Sequence, residues 1–375
     1  MHKKEEALFL DTLKEIVSQN KYQVNRTGVD TKSIFSTNLR FNLFNMKLPL
    51  VSTRLLDPRM PIAEMLWFLK GDTNVKWLVD RNIHIWNQWV DPETAVTDSK
   101  GKILAGSIGD GAYGAQWVNW EDTRIVSKQD YDSKYIKDGY TVVAEIPEGK
   151  VVITRRINQV ENLIWTIRNN ETSRRMIVTA WNPGKLMDMQ LPPCHHTFTI
   201  YVKPMTNAEK AAMLNYLFKY GADSKDPAYS YFDSDTEKEF KQDYTSAGKD
   251  KKELITKYKL PTSSLSLQLT QRSCDMAVGG AFNITQYGFL AHLLARYTNT
   301  WAKELSWNVT NSHIYNNQEV DVITQIKRKP VHGHRPILRL HRNAIETCSI
   351  HELDIPDFKV EGIKQLERIK FVVTA

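Results

Sequence analysis

The sequence predicts an α+β fold of a single domain, in which a mixed sheet packs against helices. Residues 174–183, 196–202 and 265–273 have the pattern of strands, and a long, largely buried helix is expected from Asn283 onward. These elements do not follow the regular βαβ alternation of a purely parallel sheet. Of the 375 residues, 41% are apolar and 10% aromatic, which is sufficient for a packed core.

Helices are predicted in the first part of the chain. Leu10, Leu13 and Val17 recur at helical spacing, which indicates an amphipathic opening helix rather than the apolar core of a secretory signal. Residues 61–82 predict two helices, the second of which is capped by the sequence GDTN.

Two segments interrupt the pattern of the domain, which spans residues 1–375. Residues from about 121 to 155 predict a hairpin whose turns contain glycine. Residues from about 204 to 263 are rich in Lys, Asp, Ser and Tyr, and we expect them to be part helical and part solvated. Both segments are therefore predicted to be insertions.

Composition restricts the classes of partner and compartment. A formal net charge of +7 fits a partner that bears phosphate, whether nucleic acid, nucleotide or anionic lipid. The cysteines, Cys194, Cys274 and Cys348, are odd in number and form no CxxC pair, which argues against a disulfide framework and for the cytoplasm. The longest uncharged run, 277–295, is too polar for a membrane span, so no membrane partner is expected.

A glycine-rich motif, GDGAYG, occupies residues 109–114. Its G-x-G-x-x-G spacing is that of a dinucleotide-binding loop. The residues that follow, AQWVNWED, are a poor start for a helix, and no clean βαβ unit surrounds the motif. We therefore expect a glycine-rich turn near a ligand.

The spacings of histidine and cysteine do not favour a metal site. Cys194, His195 and His196 are adjacent, whereas a closed zinc site draws its ligands from paired spacings such as C-x2-C. The sequence HGHR at 332–335 has no partner motif. No metal is expected.

Cys194, in the sequence LPPCHHTFTI, has two interpretations. As an isolated cysteine it is a buried structural thiol. As a nucleophile it must react as the thiolate, which requires positive or donating neighbours that lower the thiol pKa. Candidate neighbours are His195, Arg174, Arg175 and Arg272.

Eight motifs along the chain favour the nucleophile. They are NRTGVDTKSIF, LRFNL, AEMLWFLKGDTN, IHIWNQW, RRMIVTAWNP, LPPCH, TQRSCDMAVGGAFNITQY and SHIYNN. Together they resemble the thymidylate synthase family, whose members use folate to add one carbon to C5 of a pyrimidine deoxynucleotide. The resemblance runs from about Arg26 to the C-terminus, apart from the two insertions. It implies a homodimer formed through the sheet, with 5,10-methylenetetrahydrofolate as co-substrate and dUMP as substrate.

The resemblance also implies three sets of site residues. The catalytic set is Cys194, Glu64, Tyr113, Arg272, Asp275 and Asn283. The substrate-binding set is Arg26, Arg174, Arg175, Ser273, Asn283, His313 and Tyr315. The folate-binding set is Trp86, Trp89, Leu191, Asp275, Gly279 and Ala375.

The chemistry accounts for the thiol and the arginines. Uracil C5 is a weak nucleophile until a thiolate adds to C6, which by resemblance is the role of Cys194. Arg26 and Arg272 match ligands of the substrate phosphate. Arg174 and Arg175 match the pair that reaches into the site of the partner subunit.

The polar residues match other parts of the substrate. Asn283 matches the amide that reads the pyrimidine edge, and it implies dUMP because the cytosine-using branch has an aspartate there. His313 and Tyr315 match the pair that bonds the deoxyribose. Glu64 matches the acid that organises proton transfer, and Tyr113 the tyrosine beside the C5 proton. The C-terminal IKFVVTA matches a tail that folds over bound folate.

Two branches of the family share a methylene intermediate on the pyrimidine. A synthase reduces it with hydride to give dTMP, whereas a hydroxymethylase lets water attack it. The sequence departs from the synthase pattern at Val29, Leu55, Thr199, the GDGAYG loop, Asn311 and Gln318. Of these, Val29, the altered loop and Asn311, together with WNV at 307–309, resemble the hydroxymethylase branch. The predicted function is therefore a dUMP hydroxymethylase, as expected of viruses that carry 5-hydroxymethyluracil in DNA, in the host cytoplasm if viral. A synthase is the alternative, because Trp89 and the tail are retained.

A different class, a nucleic-acid-binding protein on an inactive enzyme scaffold, also fits the basic charge and the Lys/Tyr-rich second insertion. The lysines of that insertion are interspersed with Asp and Glu, which indicates a solvated surface. A complete set of Cys194, Arg272, Asn283, His313 and Tyr315 argues against an inactive scaffold. Nucleic acid is therefore not expected as a partner.

Overall fold

Twelve strands form in the described residues of the computed structural model, which are 1, 3–221, 226–248 and 251–374. They are β1 (Thr31–Asn42), β2 (Val96–Thr97), β3 (Ile103–Ala105), β4 (Trp120–Ser127), β5 (Thr141–Ile146), β6 (Lys150–Ile157), β7 (Ile177–Thr179), β8 (His195–Pro204), β9 (Ser263–Asp275), β10 (Trp301–Tyr315), β11 (Ile337–Leu340) and β12 (Phe358–Glu361). Together with the helices they make the α+β architecture that the sequence predicts, which is thereby confirmed.

The central sheet has five strands in the order β1-β10-β9-β8-β7. Only β9 and β10 are parallel to each other, and the remaining pairs are antiparallel, so the sheet is mixed. Along β9, Leu265, Leu267 and Leu269 are buried, whereas Gln268 between them is exposed. One face of the sheet is therefore covered by helices and the other lies open in the single chain.

Twelve α-helices accompany the strands within the same described ranges. They are α1 (Lys3–Val17), α2 (Arg59–Leu69), α3 (Lys76–Val79), α4 (Tyr113–Val118), α5 (Lys128–Asp130), α6 (Gln159–Asn169), α7 (Asn207–Tyr220), α8 (Ser234–Ser246), α9 (Lys252–Lys257), α10 (Ala281–Tyr297), α11 (Glu319–Lys327) and α12 (Arg342–Thr347). None of the described helices is long and apolar enough to cross a membrane.

Helix α10 is the centre of the core and crosses from the end of β9 to the start of β10. Nearly all of its residues are buried, and it packs against α2 and against both of those strands. Its polar residues find partners within the core: Thr285 Oγ1 donates to the carbonyl of Pro49, and His292 Nε2 bonds to the carbonyl of Lys47. These bonds allow a helix with polar residues to be buried on all sides.

Most of the predicted elements are confirmed. The opening helix is α1, the strands at 196–202 and 265–273 are parts of β8 and β9, and 61–82 contains α2 and α3. The side chain of Asn74, in GDTN, accepts from the backbone of Lys76 at the start of α3. The strand predicted over 174–183 is wrong in length, because only β7 forms. It lies at the edge of the sheet and pairs with β8 alone among the described strands. A 3-10 helix, Pro183–Lys185, follows soon after β7 ends.

The two segments predicted to be insertions have separate small cores. The first contains the three-stranded sheet β4-β6-β5, and the predicted hairpin, β5–β6, is confirmed. The second contains α7, α8 and α9, and its apolar cluster includes Met213, Leu217, Phe240 and Leu254 packed with Trp301 of the sheet. This segment therefore packs on the first residue of β10.

A buried carboxylate joins α1 to the loop before α2. Glu6 is 1% exposed, and its oxygens accept from the backbone N–H of Ser52 at 2.7 Å, the Ser52 hydroxyl at 2.7 Å and the backbone N–H of Thr53 at 2.9 Å. Loss of the carboxylate would leave these buried donors without partners, which is the costly case for hydrogen bonding.

We predict that Glu6→Ala lowers the free energy of unfolding by about 3 kcal/mol, because two backbone N–H groups lose a charged acceptor. Urea denaturation at pH 7 measures the difference. Glu15→Ala, at an exposed position of the same helix, is the control and should change stability by less than about 0.5 kcal/mol. Equal effects of the two substitutions would contradict the assigned role of Glu6.

Candidate active site

Several of the predicted site residues lie where the two parallel strands end. Ser273 and Asp275 are the last residues of β9 on one side, and His313, near the end of β10, pairs with Asp275 in the register. Asn283 lies in the first turn of α10, which follows β9 after a short π-helical turn, Met276–Gly280. Parallel strands place their carboxyl ends at one edge of a sheet, so a short stretch of sequence contributes several polar groups to one place.

Cys194 lies directly before β8 and is held by Arg272. The backbone N–H of Arg272 donates to the carbonyl of Cys194 at 2.9 Å. The guanidinium donates through Nε to the carbonyl of Pro193 at 3.0 Å and through Nη2 to that of Pro192 at 2.7 Å. Nη2 also lies 3.5 Å from the Cys194 sulfur. A single arginine thus fixes the loop and places positive charge beside the thiol.

The charge environment of the thiol differs in part from the sequence-based expectation. Burial raises the pKa of Cys194 above its ordinary value, and the positive charges of Arg272 and Arg26 lower it by less. His195 was one of the candidate donors to the thiol, but the charges that act on the pKa of Cys194 are those of Arg272 and Arg26. Burial lowers the pKa of His195 to about 3, so its ring is neutral, and Nδ1 bonds to the hydroxyl of Tyr287 at 2.9 Å.

Tyr113 supports the same loop from the other side. Its hydroxyl accepts from the backbone N–H of Cys194 at 2.7 Å, and its ring stacks on those of Phe68 and His195. Burial raises its pKa well above the ordinary value, so the phenol stays protonated.

The GDGAYG motif is the turn that delivers Tyr113. Gly109 has φ +97°, and a Cβ there would lie 2.2 Å from the carbonyl oxygen of Asp188. The prediction that AQWVNWED is a poor helix start is wrong, because α4 begins at Tyr113 and buries Trp117 in the core. The motif therefore packs the turn closely against the 185–189 loop and supports no dinucleotide-binding βαβ unit.

Glu64 is a buried acid at the centre of α2. Its exposed fraction is 6%, and its two oxygens accept from the indole N–H of Trp86 and from Nε2 of Gln286, both at 2.6 Å. Burial raises the pKa of Glu64 to about 7, although both hydrogen bonds act in the opposite direction. A carboxyl group with this pKa can give and take a proton near neutral pH.

Asn283 has polar neighbours on both sides of its amide. Oδ1 accepts from Nε2 of Gln271 at 3.1 Å, and Nδ2 donates to Oε1 of Gln286 at 3.4 Å. Gly279 lies beside it, and a Cβ at that position would be 3.5 Å from Asn283 Oδ1, which is ordinary contact. The protein alone therefore does not require glycine there.

Ser273, His313 and Asp275 form one connected group. His313 Nδ1 bonds to Asn311 Oδ1 at 2.9 Å and lies 3.5 Å from the Ser273 hydroxyl. Burial raises the pKa of Asp275, whose carboxylate accepts from Gln318 Nε2 at 2.8 Å. Gln318 in turn accepts from the backbone N–H of Tyr315. Asn311 and Gln318, two of the departures noted in the sequence, therefore lie inside the site.

The C-terminal tail lies against this group. Gln318 Nε2 donates to the carbonyl of Val372 at 2.8 Å as well as to Asp275. The guanidinium of Arg54, which donates to the carbonyl of Ala277, lies 4.9 Å from the centre of the Phe371 ring. Ala375, predicted to contact folate, lies outside the described residues.

The residues expected to hold folate fit an aromatic ligand with polar edges. The rings of Trp86 and Trp89 stand edge to face at 5.3 Å, and Trp89 and Leu191 are partly buried at the border of the core. The carboxylate of Asp275 supplies the polar partner on the other side.

The structure does not join Arg174 and Arg175 to the thiol of their own chain. Both side chains are exposed directly before β7, and the charges that act on Cys194 are those of Arg272 and Arg26. Arg26 itself is exposed in the loop before β1, where Asn25 bonds to Thr27 and Val29. Among the described residues, no group of three or more His, Cys, Asp or Glu is placed to hold a metal ion.

Sequence reasoning missed Gln286 as a site residue and noted Gln318 only as a departure. Gln286 is fully buried and contacts both Glu64 and Asn283. A signal was present, because a glutamine within a long apolar helix needs buried partners, and those partners are themselves polar.

Comparison with known proteins gives a family match over most of the chain. A family model described as "Thymidylate synthase" matches residues 7–219 and 252–375. The interval between these ranges falls inside the second segment predicted to be an insertion. The first such segment, about 121–155, lies inside the matched range.

Relatives match along nearly their whole length. A thymidylate synthase from Brachyspira hyodysenteriae is 29% identical over 362 residues, which are 96% of this chain and 97% of the relative. One from Coxiella burnetii is 30% identical over 352 residues, or 94% of this chain and 93% of the relative.

We predict that Glu64 makes stability depend on pH. Its folded pKa of about 7 lies above the ordinary value of 4.5, so the folded state holds a proton that the unfolded state loses. The contribution is fully present below pH 4.5 and is lost as pH rises through 7. Between pH 5 and pH 8 the wild type should lose about 2–3 kcal/mol relative to Glu64→Gln.

The difference is measured by urea denaturation of both proteins at the two pH values. Glu15→Gln, at an exposed position, should follow the wild type. A parallel pH dependence of wild type and Glu64→Gln would show that the buried carboxyl group does not have the raised pKa.

Proposed function

Because the chain belongs to the thymidylate synthase family, we propose that it transfers one carbon from 5,10-methylenetetrahydrofolate to C5 of dUMP and that the product is dTMP. Members of this family are one-carbon transferases that use this folate. The observation that carries the proposal is the thiol of Cys194, 3.5 Å from the Arg272 guanidinium, at the edge where Asn283, Ser273 and His313 meet.

Cys194 would act first. Its sulfur forms a bond to C6 of the uracil, and the electron pair of the C5–C6 double bond moves towards O4, which makes C5 nucleophilic. Arg272 favours the thiolate, although burial opposes it. Arg174 and Arg175 of a second subunit would add positive charge and lower the thiol pKa further, which gives the proposed dimer a role in activation.

Asn283 and Glu64 would handle the charge that develops on the base. The Asn283 amide can donate to O4 and accept from N3–H of uracil. Glu64, with a pKa of about 7, can supply or remove a proton through intervening water. Tyr113 stays neutral and contributes a hydroxyl that orients the backbone of Cys194.

The choice between hydride and water depends on access to the site. The tail is bonded through Val372 to Gln318, which also bonds to Asp275, and Phe371 packs on Arg54. A tail that closes here over bound folate would exclude water from the region of Asp275. Exclusion of water favours a synthase. The relatives are named thymidylate synthases, which supports the same branch over the hydroxymethylase favoured by the sequence motifs.

The hydroxymethylase is the second candidate, and a specific observation favours it. Asn311, in the position of a synthase aspartate, bonds to His313 within the site, and Gln318 replaces a histidine beside Asp275. Both departures change the charge around the group that would face the folate. A dUMP hydroxymethylase would release tetrahydrofolate and 5-hydroxymethyl-dUMP.

The chain is proposed to act as a homodimer through the open face of the sheet. Tyr201 on β8 is 63% exposed, and Gln268 on β9 and Asn38 on β1 are also exposed on sheet strands. Arg174 and Arg175 flank this sheet at β7, from where they could reach a neighbouring site. The three free thiols are in keeping with a cytoplasmic location.

We predict that incubation with dUMP and methylenetetrahydrofolate forms dihydrofolate and dTMP in equal amounts. The absorbance of dihydrofolate and the mass of the nucleotide are read from the same reaction. Formation of 5-hydroxymethyl-dUMP without dihydrofolate would favour the second candidate. If dUMP is converted to neither product, the proposed function is contradicted.

We predict that Cys194→Ser lowers kcat by about 1000-fold or more, because a serine hydroxyl is a poor nucleophile without a strong base, while dUMP still binds. Cys348→Ser, at a free thiol outside the site, is the matched control and should keep wild-type turnover. Normal turnover in Cys194→Ser would remove the covalent mechanism. Salt-dependent DNA binding that survives Cys194→Ala, with no turnover in the wild type, would favour the nucleic-acid-binding class.

A further inference from the structure

A continuous chain of buried hydrogen bonds connects the indole of Trp307 to the carboxyl group of Glu64 through the site. The indole N–H of Trp307 donates to Oε1 of Gln271, and Nε2 of Gln271 donates to Oδ1 of Asn283 at 3.1 Å. Nδ2 of Asn283 donates to Gln286 at 3.4 Å, and Nε2 of Gln286 donates to Glu64 at 2.6 Å. All five side chains are buried.

The groups at the two ends of this chain determine which atom is the donor and which the acceptor in every hydrogen bond between them. An indole N–H can only donate, and an ionised carboxylate can only accept. Between Trp307 and Glu64 lie three amides, and only one orientation of each satisfies all the bonds. Rotation of the Asn283 amide by 180° would oppose two N–H groups at Gln271 and two oxygens at Gln286.

This orientation matters because an amide by itself does not distinguish uracil from cytosine. Uracil presents an acceptor at O4 and a donor at N3, and cytosine presents the reverse pattern. A freely rotating Asn283 could match either base by exchanging its oxygen and nitrogen. The groups that prevent the rotation therefore contribute to the choice of base.

We propose that Gln286 is a positioning residue that ties the amide of Asn283 to the carboxylate of Glu64 and thereby adds to the selection of dUMP over dCMP. The inference rests on the proposed function, because it requires Asn283 to read the base. Gln286 contacts the base-reading residue on one side and the proton-handling residue on the other, so base selection and the charge on Glu64 are coupled.

The coupling has a definite sign. When Glu64 takes up a proton it becomes a weaker acceptor, which loosens Gln286 and in turn Asn283. Other titratable groups near Glu64 are the phenols of Tyr113 and Tyr287, and burial raises the pKa of each well above its ordinary value. His195, bonded to Tyr287, is neutral because burial lowers its pKa to about 3. Glu64 is therefore the group that changes charge here near neutral pH.

The test compares the affinities of dUMP and dCMP, measured by calorimetry without folate at pH 6 and pH 8.5. The phosphate ionises alike in both nucleotides and cancels in the ratio of their dissociation constants. In the wild type we expect the preference for dUMP to be about 3-fold greater at pH 8.5, where Glu64 is ionised. Gln286→Met, which keeps the length of the side chain without its hydrogen bonds, should lower the preference at pH 8.5 about 5-fold and make it independent of pH.

A second variant separates the two contacts of the side chain. Gln286→Glu keeps an oxygen towards Asn283 but lacks the N–H that donates to Glu64. Its preference for dUMP at pH 8.5 should therefore fall, as in Gln286→Met, if the bond to Glu64 holds the amide in place. Asn283→Asp, which should shift the preference towards dCMP, defines the range of the assay. Thermal unfolding of each variant checks that it is folded.

Three outcomes would count against the inference. If folded Gln286→Met binds both nucleotides as tightly as the wild type, with the same ratio of dissociation constants, the inference is overturned and the proposed function stays in place. Equal weakening of both nucleotides, with the ratio and its pH dependence retained, would show a purely structural role. If the wild type binds neither nucleotide, the proposed function itself fails.

Discussion

The parallel pairing of β9 and β10 is the constraint on which the site depends. Two parallel neighbours need a crossover, and here α10 supplies it through the centre of the core. The crossover places the ends of both strands and the first turn of α10 at one edge. Residues that are more than 30 positions apart in the sequence, such as Asp275 and His313, thereby become neighbours without any long loop.

The fold was predictable in the segments where apolar residues recur with a single spacing, either that of a strand or that of a helix. The alternation of β9 and the continuous apolar face of α10 identify these elements, because burial on one face or on all sides leaves a clear pattern. The strand predicted over 174–183 was too long because an apolar run does not reveal that a strand lies at a sheet edge, where β7 ends at Thr179. Helix α4 was missed because six residues are too few for periodicity, and its stability comes from Trp117 in the core.

The site was predictable as a set of residues and less so as a set of interactions. Motifs identified Cys194, Arg272, Asn283 and His313, whose side chains lie at the same edge of the sheet. They could not give the pKa of the thiol, since burial depends on the whole fold and outweighs the two arginines. Proximity in sequence made His195 a candidate neighbour of the thiol, whereas its ring bonds to Tyr287.

The two prolines before Cys194 affect how Arg272 would bind an anion. Pro192 and Pro193 have no N–H groups, and their carbonyls accept hydrogen bonds from Nη2 and Nε of Arg272, respectively. A guanidinium held in this way has lost its rotational freedom during folding, so little conformational entropy remains to be lost when a ligand arrives. Its remaining nitrogen, Nη1, then offers a donor of fixed direction. The proline-rich loop thus preorganises the arginine as well as the cysteine.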